Sequence, residues 1–562
     1  MRGTEGVSSD LSGPARPDRS RLRDLAIQLW SPPYRRALAW AAPVLLLAYG
    51  FALVNFTLAG DDWFAIFPEE TGDLRSALVT GRWLMPVVWA VTGNGAFVPY
   101  FTFVIALVLL VLGGLVAASA WGFSRPWAVF AVVTLFVVNP MFTDTLNFKP
   151  GHVSTSLAML SAAGAGWMLV RWAGTRFWRV TVAAFLLVLS LASYQPTALA
   201  FVVVVVGGEV IRGRSQESPF WREARWRWFE IAVAIVVGIG VYLLSVRVAW
   251  WATGTHRGYA LPRYSLMGGY PSDVGEMAAA LRYGLRMTSR FWFGETTLYP
   301  IALKLASLGL ILAGMLASVV RAGRGPAGSL AERVMRPAWP GLLGIASVVV
   351  PFAVLFMRDD PPTRGNLFTT VGLVVGFWAG LLLEREAAGG PSHRRRLVGA
   401  SAAALVLVVV LGCAFQINKG FFGLYLNNQR DLANANRMLS VMEQMPEFTR
   451  GGAIRVELVG RVRFHAAAEP FSNAVPDGPG VSIVDCSGLA CQDRLVNMLN
   501  LIGGGPRGFV GRSAPADPAV QDVIAAMPSW PEPGSIRFLG GVFMVKGSQP
   551  AGLRGDAGEP TP

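Results

Sequence analysis

Long apolar blocks, separated by short loops rich in arginine, set the pattern of the chain between about residues 37 and 417. Their typical length of about 18 to 24 residues is what a helix needs to cross a bilayer core of about 30 Å. The pattern predicts an α-helical polytopic membrane protein with about eleven transmembrane helices. We place them roughly at residues 37–59, 96–118, 127–138, 152–170, 178–192, 197–211, 229–251, 300–320, 338–356, 367–383 and 397–415.

Polar segments surround and interrupt this region. Residues 1–36 form a basic tail, and they lack the early apolar region of a cleavable signal peptide. Two long loops follow the first and seventh blocks, at residues 60–95 and 252–299. The second loop contains an apolar-basic stretch at 276–293, which predicts an amphipathic helix lying along the membrane surface.

The carboxyl-terminal region has a different pattern. Residues 427–445 repeat with a helical period, and a second helical stretch follows at 493–502. Short apolar-polar alternations, which predict strands, stand at residues 453–464, 481–484 and 536–546. We therefore expect residues 37–417 to form the membrane domain, 418–548 a helix with a small α/β domain, and 549–562 a flexible tail.

Composition supports this interpretation. Hydrophobic residues make up 53% of the 562 positions and charged residues 15%, well below the roughly 25% of a soluble domain. The formal net charge is +14, but the arginines stand in short clusters between apolar blocks, as cytoplasmic membrane loops require. A nucleic-acid-binding protein would gather them on one soluble face. A soluble enzyme, a disordered chain and a coiled coil are excluded, and membrane lipids rather than nucleic acid are the expected partner.

The basic loops also predict an orientation. They fall on every second connection, which places the amino terminus in the cytoplasm, and eleven crossings then place the carboxyl-terminal domain outside. Of the three cysteines, Cys413 lies in an apolar block, where it packs as a small apolar side chain. Cys486 and Cys491 are the neighbouring pair, and outside the cytoplasm we expect them to form a small disulfide loop.

Two adjacent carboxylates, Asp61 and Asp62, begin the first long loop, and Trp63 follows them. Carboxylates at a membrane boundary are costly unless water, a cation or a protein group meets them; the simpler alternative is that they end the helix in solvent. Residues 73–79 predict a short surface helix, and Gly81-Arg82-Trp83-Leu84 then leads into an apolar stretch too short to span. A loop that re-enters beside two carboxylates is typical of the wall of a site.

Cations on the same predicted side form the second feature. Lys149 goes against the charge rule there, and with His152 it suits a lipid-linked phosphate, unless it is a solvated residue of a Pro-Gly turn. Arg247 lies about one turn inside the seventh block, where an arginine is a functional candidate or snorkels to the headgroups. Arg358 and Arg364 share a short loop with two aspartates that could neutralise them.

A tight turn between the fifth and sixth blocks carries Tyr194 and Gln195. Both side chains could hydrogen-bond a sugar hydroxyl, and both could equally cap the hairpin. The sequence has no phosphate-binding glycine loop, no HExxH motif and no paired broken helices of the kind that many transporters show.

An ordered set of these short motifs resembles one known family, the type II bacterial glucosyltransferases of O-antigen modification and serotype conversion, which are polytopic glycosyltransferases of the GT-C type. The resemblance covers about the first 450 residues. It is carried by Asp61-Asp62-Trp63, Gly81-Arg82-Trp83-Leu84, Asn139-Pro140, Leu146-Asn147-Phe148-Lys149, Tyr194-Gln195 and Asn428-Gln429-Arg430-Asp431-Leu432-Ala433-Asn434-Ala435-Asn436.

The resemblance implies a polyprenyl-phosphate-linked sugar as donor, a cell-envelope glycan or lipid as acceptor, and action on the non-cytoplasmic face of the bacterial inner membrane. It implies that Asp61 or Asp62 serves as catalytic base or helps to hold a divalent cation such as Mg or Mn, whose requirement stays open. Where family members tend to have an acidic residue after the aromatic-basic pair, this chain has Pro150-Gly151-His152.

Within this expectation, the remaining candidates fall into two groups. The candidate ligands of the donor phosphate are Arg82, Lys149, His152 and Arg247. The candidate substrate contacts are Trp63, Tyr194, Gln195, Arg358 and Arg364. Two alternatives from other classes are a lipid or polysaccharide transporter and a non-catalytic envelope assembly protein. The nearly pure apolar blocks favour the transferase over the transporter, which would carry polar residues deep within several spans.

Overall fold

The computed structural model describes residues 19–58, 62, 66, 75–93, 98–172, 174–215, 220–255, 273–294, 299–324, 330–357, 368–384, 393–449, 453–460, 489–503, 508–511 and 517–547. Its main body is a bundle of apolar helices. The helices are α1 (Arg19–Leu29), α2 (Pro32–Val54), α3 (Arg75–Val79), α4 (Leu84–Gly93), α5 (Pro99–Trp121), α6 (Pro126–Val137), α7 (Phe142–Thr145), α8 (His152–Arg171), α9 (Arg176–Ser193), α10 (Leu199–Ser215), α11 (Phe220–Thr253), α12 (Val274–Phe293), α13 (Ile301–Gly323), α14 (Leu330–Val349), α15 (Val371–Glu384) and α16 (His393–Glu443). Short 3-10 helices stand at Lys149–Gly151, Gln195–Ala198 and Val350–Met357.

Each predicted span corresponds to a helix. In the part of the chain that the structure describes, nine helical stretches are long and apolar enough to cross a membrane. Two shorter apolar helices, α6 and α15, stand at the two remaining predicted positions. Prolines open α2, α5 and α6, because the first helical turn needs no amide donor at these positions. The prediction of a polytopic α-helical membrane protein is confirmed.

The two short helices form the centre of the bundle. Nearly every residue of α6 and α15 is buried, and three glycines at a spacing of four residues, Gly372, Gly376 and Gly380, lie against α6 and the turn before it. A Cβ atom on Gly376 would lie 3.1 Å from the Cα atom of Val132. Small residues allow helix backbones to approach closely within a membrane. Protein rather than lipid surrounds these two helices, and bilayer thickness therefore does not dictate their length.

Ion pairs of two buried glutamates mark one end of the bundle. Glu209 of α10 accepts hydrogen bonds from Arg212 and Arg227, and Glu230 of α11 pairs with two arginines of α9. These arginines belong to the basic clusters that predict the orientation. At the opposite end, Leu58, which follows α2, packs into the core of the carboxyl-terminal sheet. We call this opposite end the sheet end.

The first long loop contains a helical hairpin, α3 and α4. Gly81 makes the turn with a φ of 81°, a left-handed backbone conformation that side chains with a Cβ adopt at a cost. The amide of Arg82 closes the turn on the carbonyl of Ala77 at 2.8 Å. Helix α4 has ten residues, about 15 Å of helix, which agrees with the expectation of an apolar stretch too short to span.

Helix α16 continues without interruption from the membrane domain into the carboxyl-terminal region. Its 51 residues extend over about 76 Å, so the expected boundary near residue 417 lies inside one helix. Its last turns pack Ala435, Met438 and Met442 against the carboxyl-terminal sheet.

The carboxyl-terminal unit is a small α/β sheet structure. Its elements are β1 (Ile454–Val459), α17 (Leu489–Ile502), β2 (Phe509–Gly511), α18 (Pro518–Ala526), β3 (Ile536–Leu539) and β4 (Val542–Lys546). The strand order is β2-β1-β4-β3; β1 runs parallel to β2 and β4, and β3 and β4 form an antiparallel hairpin. The sequence predicted β1 and α17, and it predicted one alternating stretch at 536–546 where the structure has the two strands of the hairpin. It missed β2 and α18, and the strand expected at 481–484 lies outside the described residues.

The amphipathic stretch of the second long loop is helix α12. Asp273 caps it by accepting a hydrogen bond from the amide of Glu276. One face, which includes Ala280 and Gly284, is buried, and the ring of Phe356 from the 3-10 helix Val350–Met357 lies over Gly284. The helix is therefore attached to the bundle along that face.

Candidate functional site

A buried ion pair joins the first long loop to the loop between α7 and α8. The Nζ of Lys149 lies 2.7 Å from Oδ2 of Asp62, and the backbone amide of Lys149 donates to Oδ1 at 2.9 Å. The Asp62 side chain is completely buried and that of Lys149 is 8% exposed. One residue therefore engages both oxygens of the carboxylate, once with its ammonium and once with its backbone.

Local geometry fixes Lys149 in this position. It begins the 3-10 helix Lys149–Gly151, in which Pro150 restricts the backbone. A Cβ atom on Gly151 would lie 2.5 Å from the ring of Phe148, so the turn requires glycine at this position. The Pro-Gly sequence, in which this chain departs from the family pattern, is thus the element that presents Lys149 to Asp62.

His152 lies directly behind the ion pair and is buried. Its Nε2 lies 2.7 Å from the carbonyl oxygen of Leu146, and its Nδ1 lies 3.4 Å from Oγ1 of Thr102. The Phe103 ring meets the imidazole edge to face. Both ring nitrogens therefore face protein atoms, and the contact with Leu146 ties the two ends of the α7–α8 loop together.

A second polar cluster surrounds Gln195, after the end of α9. The Nε of Arg82 donates to Oε1 of Gln195 at 3.1 Å, and the guanidinium lies over the ring of Tyr194, 4.6 Å from its centroid. The amide nitrogen of Gln195 donates to the carbonyl of Thr80 and to the hydroxyl of Tyr242. The structure thus brings Arg82 to Tyr194 and Gln195, the pair that the sequence placed in a separate turn.

This second cluster borders a large apolar groove between α9, α10 and α11. The groove has a volume of about 960 Å³, and its lining includes Gln195, Tyr242, Arg247 and Trp250 among apolar side chains. Arg247 therefore lies at the same groove as Gln195. A second cavity, of about 580 Å³, lies between α9 and α11 nearer their first turns, with Glu230 at its polar end. Together the two cavities follow most of the length of α9, about 27 Å for its 18 residues.

The α3–α4 hairpin connects the two clusters. On one side Ala77, Met85 and Trp89 pack together with Phe148, next to Lys149. On the other side Trp83 donates to Ser245 of α11 at 2.9 Å, and Trp250 of the same helix donates to the carbonyl of Leu78 at 2.8 Å. The hairpin therefore forms the wall between the carboxylate and the groove.

A third contact joins α16 to Leu58, which precedes Asp61 and Asp62. The side-chain carbonyl of Asn428 accepts a hydrogen bond from the amide of Leu58, and its amide nitrogen donates to the carbonyl of Leu58 at 3.1 Å. Asn428 and Leu58 are both buried. The sequence showed Asn428 as the first residue of a family-like motif but gave it no role, because no local pattern links two residues 370 positions apart.

Several sequence candidates lie outside the described residues. They are Asp61, Trp63, Arg358, Arg364 and Cys486, together with the side chain of Cys491. The expected disulfide therefore stays a prediction. Among the described residues no three His, Cys, Asp or Glu side chains gather as a metal site. Since Asp61 is not among them, the metal hypothesis for Asp61 and Asp62 also stays open.

Comparison with known proteins finds a similar family. Residues 50–320 match the model of a family described as glucosyl transferase GtrII, and this range contains the acidic pair, the α3–α4 hairpin, the Lys149 loop and all of the groove lining except Val354. No curated protein and no solved structure matches the chain. The family match agrees with the motifs that indicated a type II glucosyltransferase: over these residues the chain is similar to the GtrII glucosyl transferase family, which supports a membrane glycosyltransferase in general.

Proposed function

We propose that this glycosyltransferase moves glucose or a related hexose from a polyprenyl-phosphate carrier to a cell-envelope glycan or lipid. The observation that carries the proposal is the groove: a long apolar channel beside α9 and α11 whose lining at the sheet end includes Arg247 and Gln195. A polyprenyl phosphate combines a long apolar chain with an anionic head group. The apolar walls suit the chain, and the arginine suits the phosphate.

We assign the sheet end to the extracytoplasmic face of the inner membrane. The ion pairs of the buried Glu209 and Glu230 stand at the opposite end, among the arginine clusters, and basic residues favour the cytoplasmic side. Transfer at the sheet end would then use a donor whose head group faces away from the cytoplasm. The carboxyl-terminal unit would face the same compartment.

The reaction we propose is a single displacement. The acceptor hydroxyl oxygen attacks the anomeric carbon, the bond from that carbon to the phosphate oxygen breaks, and the hydroxyl proton passes to a carboxylate. The phosphate leaves with the bonding pair, and Arg247, with Arg82 nearby, stabilises its growing negative charge. Attack opposite the leaving group inverts the anomeric configuration.

The geometry favours Asp61 over Asp62 as the base. Asp62 is fully buried, and Lys149 engages both of its oxygens. A buried carboxylate whose two oxygens are both engaged by Lys149 is poorly placed to receive the proton of an acceptor hydroxyl. Asp62 would then fix the loop while its neighbour Asp61 takes the proton.

The first experiment replaces each carboxylate. Asp61→Asn and Asp62→Asn are purified, and transfer of labelled glucose from polyprenyl-phosphate glucose to cell-envelope membranes is measured. We expect Asp61→Asn to lose at least about 100-fold in kcat, as for removal of a general base. Full activity in both variants would refute the assignment of the acidic pair to the reaction.

The second experiment fills the groove. Gly240 lines it, and a Cβ atom there would meet nothing within 4 Å, so a side chain can start at this position, and Gly240→Trp is designed to fill part of the groove. Gly309→Trp in α13 is the matched control, because its Cβ position is equally open and it does not line the groove. We expect Gly240→Trp to reduce kcat/KM at least about tenfold for a long-chain donor and much less for a donor with two or three isoprene units. Equal effects of the two substitutions would exclude the groove as the donor site.

A further inference from the structure

The acidic segment is held by a side chain that belongs to the carboxyl-terminal half of the molecule. Asn428 of α16 forms two hydrogen bonds with Leu58, one to its amide and one to its carbonyl. Leu58 precedes Asp61 by three residues. The side-chain amide of Asn428 therefore acts as a partner strand would, since it satisfies both backbone groups of one residue.

Apolar contacts hold the same segment on both sides of the acidic pair. Leu58 belongs to the buried cluster formed by the last turns of α16 and the carboxyl-terminal sheet, which includes Met438, Val456 and Phe543. Ile66, on the other side of the pair, packs against the same cluster. The two anchors are eight positions apart, and the residues between them include Asp61, Asp62 and Trp63.

The membrane bundle meets this segment from the opposite direction. Lys149, at the start of the 3-10 helix before α8, binds the carboxylate of Asp62. On the other side, Asn428 of α16 binds the backbone of Leu58, and the side chains of Leu58 and Ile66 pack against α16 and the carboxyl-terminal sheet. The described residues Leu58, Asp62 and Ile66 thus contact two separately built parts of the protein.

Asparagine is the side chain that this contact requires. It offers one acceptor and one donor on a short stem, which matches the amide and carbonyl of a single buried residue. Aspartate keeps the acceptor but has no donor for the carbonyl of Leu58, and alanine leaves both backbone groups of Leu58 without this partner. Buried polar groups that lose their partner are costly, so the backbone of the segment would move away from its position.

We propose that Asn428 is a positioning residue for glycosyl transfer, and that the carboxyl-terminal α/β unit is the support that fixes the acidic loop. This role rests on the proposed function, because it matters only if Asp61 and Asp62 take part in transfer. It assigns a purpose to the motif that begins at Asn428. It also assigns a purpose to the continuation of α16 beyond the membrane domain to the sheet.

The test compares Asn428→Ala with Asn436→Ala. Asn436 lies two turns further along α16, is exposed, and uses its amide only to donate to the carbonyl of Leu432 in the same helix. Both variants are assayed in the full chain with polyprenyl-phosphate glucose and cell-envelope membranes. We expect Asn428→Ala to lose at least about tenfold in kcat with the donor KM changed less than about twofold, and Asn436→Ala to behave as the unchanged protein.

Hydrogen exchange supplies a readout that a loss of general stability would not give. We expect the peptide that contains Leu58 to exchange faster in Asn428→Ala, while peptides from α8 and α9 keep their protection. Unchanged kcat, or unchanged exchange at Leu58, would overturn the proposal. If Asn428→Ala does not fold, Asn428→Asp takes its place; it keeps one of the two bonds, and activity equal to that of the unchanged protein would overturn the proposal as well.

The carboxylate variants separate this inference from the function on which it rests. If Asp61→Asn and Asp62→Asn both retain activity, the acidic pair has no role in transfer and the proposed function fails. If those variants lose activity while Asn428→Ala retains it, the positioning role alone fails.

Discussion

The ion pair between Lys149 and Asp62 gives the most direct prediction about stability. The two side chains are 8% and 0% exposed, and their charged atoms are 2.7 Å apart. Removal of one partner leaves the other as a buried charge that has lost this ion pair, which costs roughly 3–5 kcal/mol. We therefore expect Lys149→Met or Asp62→Asn alone to lower the free energy of unfolding by about that amount.

The double variant distinguishes this explanation from a simple loss of packing. Lys149→Met combined with Asp62→Asn removes both charges, so it should cost clearly less than the sum of the single changes. The coupling energy should be about 2 kcal/mol or more, within the range for residues in direct contact. Unfolding is followed in detergent micelles by denaturant titration, for the native protein, both single variants and the double variant.

An ion pair with one exposed partner, at the other end of the bundle, is the control. Arg176 is 67% exposed and lies 3.3 Å from the buried Glu230, which also pairs with Arg179. An exposed partner contributes about 0–1 kcal/mol, and its removal leaves Glu230 paired with Arg179. Arg176→Met should therefore cost no more than about 1 kcal/mol. Additive single changes at Lys149 and Asp62, or a cost at Lys149 no larger than that at Arg176, would refute the view that burial makes this pair important.

Two further predictions concern backbone conformation and pH. Gly81→Ala should reduce both thermal stability and transfer activity, because Gly81 has a φ of 81° and a Cβ atom would lie 2.5 Å from the hydroxyl of Tyr242. The backbone strain alone costs about 1–2 kcal/mol. Gly309→Ala is the control, because its Cβ atom would meet open space. In the carboxyl-terminal sheet, burial raises the pKa of Glu457 from 4.5 to about 7, so the folded state binds the proton more tightly than the unfolded state. The stability that this group contributes is present below pH 4.5 and is lost as the pH rises through about 7. The unfolding temperature of Glu457→Gln should therefore exceed that of the native protein at pH 8 and match it at pH 4.5. A difference in unfolding temperature that does not depend on pH would contradict the assignment of the effect to the raised pKa of Glu457.

The sequence predicted the membrane-spanning helices well, because their length and apolarity are local properties. All eleven predicted positions carry helices, including the short α6 and α15. Helical periodicity likewise identified the amphipathic α12 and the last part of α16, which leads to the carboxyl-terminal unit. The sheet was predicted less completely, since β2 has only three residues and a strand of that length has no recognisable alternation.

The contacts that build the candidate site were not predictable in the same way. Lys149 and Asp62 are 87 positions apart, and Asn428 and Leu58 are 370 positions apart. Each residue was visible as an unusual polar group near a membrane boundary, but periodicity carries no information about which distant segment it meets. The groove was invisible for the same reason, because it forms only when α9 and α11 lie side by side.

The contacts of Lys149 indicate which cations at the sheet end can bind the phosphate of a donor. Charge rules marked Lys149 as unusual, and a lipid phosphate was one reason for it to be there. Asp62 supplies another, because a buried carboxylate requires a compensating charge, and Lys149 provides it through both its ammonium and its backbone amide. An ammonium held in this way is neutralised before any donor arrives. The positive charge available to a phosphate then has to come from the groove, where Arg247 lies with Gln195 in the lining and Gln195 holds Arg82. Replacement of Arg247 should therefore weaken donor binding, whereas replacement of Lys149 should first release the acidic loop.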